Sequence, residues 1–346
     1  LLLMINKKIT KRIYIRSDGA NINNIGMGHL FRTEILCRAI EKEFRISPIF
    51  IIRKYHEAID FLSKKGFKFI ILNQSIEKEA EEIVSINGSG EECVLIVDNY
   101  CQNANYIRKL KSKYFVISFN ESGSAGMEPD IVINSFNEEK LKSKNYFSGA
   151  KYFLLRPMFK KLHDMEKKIN FNVNQILVLL GGSDANKVNF KLAKWLSEFR
   201  FDGVIKWVIG PAVIEKDKLQ KKINELSLNT EVFLNCDNID ELLFQSDISI
   251  IGGGFSIYEN ACVGTPGVAL CVYDHQIHTI KRFEKRQCIL NGGHYRQNSG
   301  KEILSLLDTL INNLPLRIEM SRKAKSYIDG NGLSRILKVI ANEIGG

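Results

Sequence analysis

Short apolar runs alternate with stretches of helical periodicity along nearly the whole chain. That alternation predicts parallel sheets with helices on both faces. In the first half the strand-like runs fall at 12–16, 48–53, 67–72, 93–98, 114–119 and 131–134, with helical stretches at 30–43, 57–65 and 105–111. From 156 to 174 the pattern lapses into the lysine-rich segment RPMFKKLHDMEKKINFNVN, which reads as a linker. Alternation resumes at 175–180, with strands near 206–209, 231–234, 247–251 and 268–272 and a helical end over 301–344. The expected organisation is α/β: a Rossmann-like domain over 1–155, the linker over 156–174, and a second Rossmann-like domain over 175–346 that carries the terminal helices. Two doubly wound domains imply a central cleft, where small molecules bind.

At 346 residues the chain is long enough for two cores, and 45% hydrophobic with 25% charged residues marks a soluble globular protein. No apolar run approaches the roughly 20 residues of a membrane span. Leu1-Leu2-Leu3-Met4 lacks the basic lead-in and cleavage site of a signal peptide. The seven cysteines are scattered, odd in number and mostly set in apolar segments, which points to buried thiols in a reducing cytoplasm and no zinc site. A net charge of +10 raises the question of nucleic acid. The lysines, however, are spread over helix-like segments such as 216–222 and are not interleaved with aromatics, so a nucleic-acid partner is set aside. A basic surface suits an anionic sugar nucleotide, or a weak hold on an anionic membrane.

The most informative stretch is DISIIGGGFSIYENACVGTPGVALCVYDHQ, residues 247–276. An apolar β-branched run breaks on Gly252, Gly253 and Gly254, and Ser256 then opens a helix with Glu259 three residues on. A strand that empties through glycines into a helix N-terminus makes a phosphate cradle, because backbone N–H groups and the helix dipole favour an anion. Ser256-x-x-Glu259 equally spells a capping box that binds nothing. The next strand ends on Asp274, His275 and Gln276, so polar groups gather at the carboxyl ends of neighbouring strands, where open α/β sheets bind ligands.

A long polar loop follows the first strand and runs through Gly26-Met27-Gly28 into His29 at a helix start. A dinucleotide fingerprint would need glycine at 31, where Phe31 stands, and a Walker A loop is absent. The helix dipole disfavours imidazolium there, so His29 is expected to be neutral and able to accept a proton. A polar cap is the other reading. His278 and His294 lack such a setting and read as structural. Asp98-Asn99-Tyr100 at a strand end fits sugar hydroxyls or a turn, and Gly181-Gly182-Ser183-Asp184 fits a ligand loop or a helix cap.

Taken in order, Arg16-Ser17-Asp18, Gly26-x-Gly28-His29, Val97-Asp98-Asn99-Tyr100, Leu155-Arg156-Pro157, Gly181-Gly182-Ser183-Asp184, Gly253-Gly254 with Tyr258-Glu259, Gln276, and Asp329-Gly330-x-Gly332-x-x-Arg335 resemble one family. It is that of the UDP-sugar hydrolases of pseudaminic acid biosynthesis (PseG type) and the spore-coat polysaccharide proteins (SpsG type), similar to MurG-like glycosyltransferases. The resemblance implies a GT-B fold without cofactor or metal, and UDP against the second domain. The diphosphate would rest on Gly253, Gly254, Phe255 and Ser256, the ribose on Glu259 and the uracil near Cys236. The family's substrate contacts fall on Arg16, Asp18, Gly26, Gly28, Asn99, Tyr100, Gly181, Gly182, Ser183, His275 and Gln276. His29 matches its catalytic histidine, which deprotonates the water that attacks the anomeric carbon. The chain departs from the family at Asn120-Glu121-Ser122, at Phe255 and at His275, all near the expected sugar.

The leading expectation is therefore hydrolysis of a UDP-linked deoxyamino sugar to UDP and free sugar. A GT-B transferase acting on the same donor is the alternative. A sugar-nucleotide-binding protein without turnover is a third reading.

Overall fold

The computed structural model describes residues 11–20, 25–87, 92–99, 102–119, 125–138, 143–234 and 236–344. Two compact units emerge, one made of 1–155 with 331–346 and the other of 156–330.

The first unit carries β1 (Arg12–Ser17), α1 (Gly28–Phe44), β2 (Ile49–Arg53), α2 (His56–Lys64), β3 (Phe69–Leu72), α3 (Glu79–Ile86), β4 (Cys93–Asp98), α4 (Ala104–Leu110), β5 (Tyr114–Phe119), β6 (Ile131–Asn134) and β7 (Tyr146–Ser148). Its strands form one sheet in the order β3-β2-β1-β4-β5-β6-β7, parallel throughout. All of CVLIVD in β4 is buried, as expected of a central strand covered on both faces. The chain winds outward in both directions from β1 and β4, so their carboxyl ends mark the switch point. There Ser17 pairs in register with Asp98.

The second unit carries α5 (Pro157–Asp164), β8 (Gln175–Leu179), α6 (Val188–Leu196), β9 (Val204–Ile209), α7 (Lys216–Asn224), β10 (Asn229–Leu234), α8 (Ile239–Gln245), β11 (Ile248–Gly252), α9 (Phe255–Val263), β12 (Gly267–Cys271), α10 (Ile277–Lys285), β13 (Leu290–His294), α11 (Lys301–Asn312) and α12 (Leu314–Tyr327). The sheet order is β10-β9-β8-β11-β12-β13, again parallel. Its switch point lies between β8 and β11, and the glycine run leaves the sheet there.

Two expectations about organisation fail. The lysine-rich segment is no free linker. Pro157 opens α5, whose Phe159 and Leu162 are buried, and Lys167 donates to the carbonyls of Phe244 and Ser246 at the end of α8. Nor does the whole helical end belong to the second domain: α13 (Gly332–Ile344) packs in the first unit. Leu333, Ile336 and Ile340 form one apolar stripe and join the core cluster of Ile13, Leu36 and Ile40. Gly332 permits that docking, since a Cβ there would lie 2.0 Å from the Phe153 carbonyl oxygen.

Candidate functional site

In the first unit the site is built where β1 and β4 end. His29 sits in the first turn of α1, which has no acidic residue and no side-chain cap there. Its Nδ1 lies 2.6 Å from Asp98 Oδ1. Arg32, one turn along the same helix face, donates from Nε to Asp98 Oδ2 at 2.8 Å and from Nη2 to Oδ1 at 2.5 Å. Burial works against a charge on Asp98, but Arg32 and His29 outweigh it and hold the carboxyl down to about 2. An ionised carboxylate only accepts, so Nδ1 must carry a proton. In the neutral ring the lone pair therefore resides on Nε2. This is the arrangement of a general base with an orienting acid. Reading the sequence singled out His29 but not the partnership of Asp98 and Arg32. The signals were an aspartate closing an otherwise apolar strand and an arginine at helical spacing from the histidine.

Arg16 and Asp18, expected to touch substrate, are committed elsewhere. The Arg16 guanidinium is wholly buried, with Nε 2.7 Å from Glu79 Oε1 and Nη2 3.0 Å from Glu79 Oε2 and 2.6 Å from Asp18 Oδ2. The other Asp18 oxygen accepts the Arg53 backbone N–H at 2.8 Å. Arg53 Nε and the Tyr106 hydroxyl complete the shell of Glu79, each at 2.8 Å. A guanidinium removed from water needs all its donors paired, and here the partners are protein groups. Arg16 thus ties the end of β1 to the start of α3. Asn99 fares differently: its Nδ2 points to Glu79 Oε1 at 3.5 Å, and its Oδ1 is buried with no partner among the described residues. A Cβ on Gly26 would meet none of the described residues within 4 Å, and Gly28 begins α1. Tyr100 and residues 120–122 lie outside the described residues.

In the second unit the glycine run has separable causes. A Cβ on Gly252 would lie 2.4 Å from the Leu180 carbonyl oxygen, and one on Gly253 would lie 2.6 Å from the Ile280 side chain. Those two glycines are demanded by packing. Gly254 is the N-cap of α9, and a Cβ there would meet only Gln276 Nε2, at 3.3 Å. Gln276 Oε1 accepts the N–H groups of Val272 at 3.0 Å and Tyr273 at 3.4 Å, which turns the amide nitrogen toward Gly254. The capping box read from Ser256 and Glu259 does not form: the helix already starts at Phe255, and no side chain caps it. A helix start without a side-chain cap is the kind of place where backbone N–H groups can take an anion.

Around that turn, Gly181 has a positive φ of 122°, and Ser183 Oγ lies 3.3 Å from Tyr273 Oη, joining two of the loops. Asp184 takes the N–H groups of Val188 and Asn189 at 2.7 and 2.8 Å, so it caps the next helix while Ser183 does not. His275 stacks on the Tyr273 ring. Asp274 turns outward to Nε2 of His294 at 2.8 Å, giving that histidine a tie its sequence setting did not signal. A further group surrounds Glu259. Arg156 donates to the Asp237 carbonyl at 2.6 Å and sits 3.2 Å from Asp240, and Cys236 Sγ is 2.9 Å from Asn238 Oδ1. Burial pushes the half-buried Glu259 carboxyl up to about 7, with Arg156 opposing and Asp240 adding to the rise. Among the described residues, no three His, Cys, Asp or Glu side chains are placed to hold a metal, and no helix is long and apolar enough to cross a membrane.

No family model matches the chain. The spore coat polysaccharide biosynthesis protein SpsG of Bacillus subtilis is 24% identical over 328 residues, covering 91% of this chain and 94% of that protein. A Helicobacter pylori protein named as pseudaminic acid cytidylyltransferase and UDP-2,4-diacetamido-2,4,6-trideoxy-beta-L-altropyranose hydrolase is 23% identical over 289 residues. That match covers 80% of this chain but 50% of the relative. Among solved structures, Acinetobacter baumannii MurG is similar with a TM-score of 0.72 at 13% identity, covering 96% of this chain and 99% of that one. The calicheamicin glycosyltransferase CalG4 follows the same architecture, with a TM-score of 0.63 at 10% identity and coverage of 97% and 99%. The likeness to SpsG over most of both chains supports the PseG/SpsG-type family, and the architecture shared with MurG is the GT-B fold.

Proposed function

We propose that the chain hydrolyses a UDP-linked deoxyamino sugar at its anomeric C–O bond in the making of a surface polysaccharide or a nonulosonic acid. UDP lies on the second unit, with its diphosphate on Gly253, Gly254, Phe255 and Ser256, its ribose on Glu259 and its base near Cys236. The loop of Gly181, Gly182 and Ser183 lines the same edge. Sugar contacts fall on Gly26, Gly28 and Asn99 of the first unit, and on His275 and Gln276 of the second. His29 Nε2 takes a proton from water as its oxygen bonds to the anomeric carbon. The C–O bond breaks with its electrons on UDP, and the sugar leaves with inverted configuration. Helix N–H groups and the Gln276 amide offset the charge that develops on the diphosphate.

The observation that carries this reading is the 2.6 Å contact between His29 Nδ1 and Asp98, which leaves a basic nitrogen on the opposite side of the ring. The same base would serve a sugar acceptor in place of water, so transfer is the second reading. A panel of UDP-, CMP- and GDP-sugars, followed by NMR for nucleotide release without acceptor, separates the two. UDP release in acceptor-free buffer, abolished in His29→Asn, is expected. Release that waits for an acceptor hydroxyl would replace hydrolysis with transfer.

A further inference from the structure

The charges at the carboxyl edge of the first unit's sheet fall into two sets. Arg16, Arg53, Asp18 and Glu79 close on one another, two cations against two anions, and contribute little net field. Among the described residues, Arg32 from its own helix and Asp98 from the end of β4 face the imidazole. Both side chains of that pair are fully buried, so their charges are weakly screened by solvent. Arg32 also lies 5.1 Å from the centre of the Phe119 ring, which fixes the guanidinium from a third element.

The geometry has a specific consequence. Asp98 Oδ1 takes two donors, Nδ1 of His29 and Nη2 of Arg32, while Oδ2 takes Nε of Arg32. The carboxylate is gripped by a planar fork on one side and by the ring on the other. A lone Asp98 would orient the ring but would also favour imidazolium, which cannot act as a base. A cation on the same carboxylate offsets that pull.

We propose that Arg32 is a positioning residue for the reaction proposed above. By clamping both oxygens of Asp98 it fixes the carboxylate that aims the His29 ring, and it balances the negative charge that the carboxylate brings to the imidazole. The inference rests on that functional reading only for its effect on rate. Its electrostatic content belongs to the free protein.

The test is a pH titration of the His29 imidazole by NMR in the ligand-free full chain, for wild type, Arg32→Met, Arg32→Lys and Asp98→Asn, beside the pH profile of nucleotide release. In R32M the midpoint of His29 should rise by about one pH unit, and the acid limb of kcat/KM should move with it. R32K keeps the charge but not the fork. Its midpoint should stay near wild type while kcat falls roughly tenfold to a hundredfold at little change in KM. If R32M does not fold, D98N carries the electrostatic arm, and its midpoint must fall. A His29 midpoint unmoved in folded R32M, or one unmoved in D98N, overturns the role of Arg32. Failure of wild type to release nucleotide from any UDP-sugar strikes the proposed reaction instead and leaves the titration arm standing.

Discussion

Asp98, the last residue of the wholly buried strand β4, places one carboxylate oxygen 2.6 Å from Nδ1 of His29, the second residue of α1 in the same unit. The strand end and the helix start come from different βα connections. Only their adjacency at the switch point turns a histidine and an aspartate into a pair.

Asp98→Asn should therefore do more than remove a charge. The amide can donate to Nδ1 and stabilise the wrong tautomer, and Arg32 loses its counter-ion. Nucleotide release is expected to fall by about a hundredfold or more, while the affinity for UDP, measured by calorimetry, stays within a few-fold of wild type. Equal losses in both would place Asp98 in binding or folding alone.

Arg16 is bound to Glu79 and Asp18 in the interior, and its substitution separates a structural role from a ligand contact. Arg16→Met strands Glu79 and Asp18 in the interior, and about 3–5 kcal/mol of stability should be lost. Chemical denaturation reads that loss directly. A stable variant with weakened substrate binding would return Arg16 to the ligand.

Glu259 carries a prediction with a sign. Its folded carboxyl is raised to about 7 from an ordinary value of 4.5. The folded chain thus holds the proton more tightly than the unfolded chain. The group's contribution favours folding below about 4.5 and is lost progressively as pH rises to about 7. Glu259→Gln should accordingly raise the Tm more at pH 8 than at pH 5. A gain that does not change with pH would show that Glu259 titrates normally.

The glycine run predicts two different defects. Gly252→Ala forces a Cβ to within 2.4 Å of a backbone oxygen and should cost about 1–3 kcal/mol of stability. Gly254→Ala meets only the Gln276 amide, at 3.3 Å, and should fold normally but bind UDP weakly. Melting curves beside UDP titrations separate the two, and similar melting losses would remove the distinction drawn between them.

Much of the sheet was legible because buried parallel strands are continuous apolar runs bounded by turns, and CVLIVD or ISIIG needs no tertiary context to be recognised. Tyr146–Ser148 and Leu290–His294 escaped because an edge strand with half-exposed or glycine-rich positions has no such run. Local order also fixed the glycine exit before α9 and the helix start that carries His29. Partnership was decided by the fold. Which oxygen meets His29, that Arg16 is consumed by Glu79, and that α13 returns to the first unit all depend on residues tens of positions apart. Periodicity records which face of an element is apolar, but it does not record which distant element covers that face. Hydrogen bonds and ion pairs of this kind exist only once burial has brought their partners within about 3 Å.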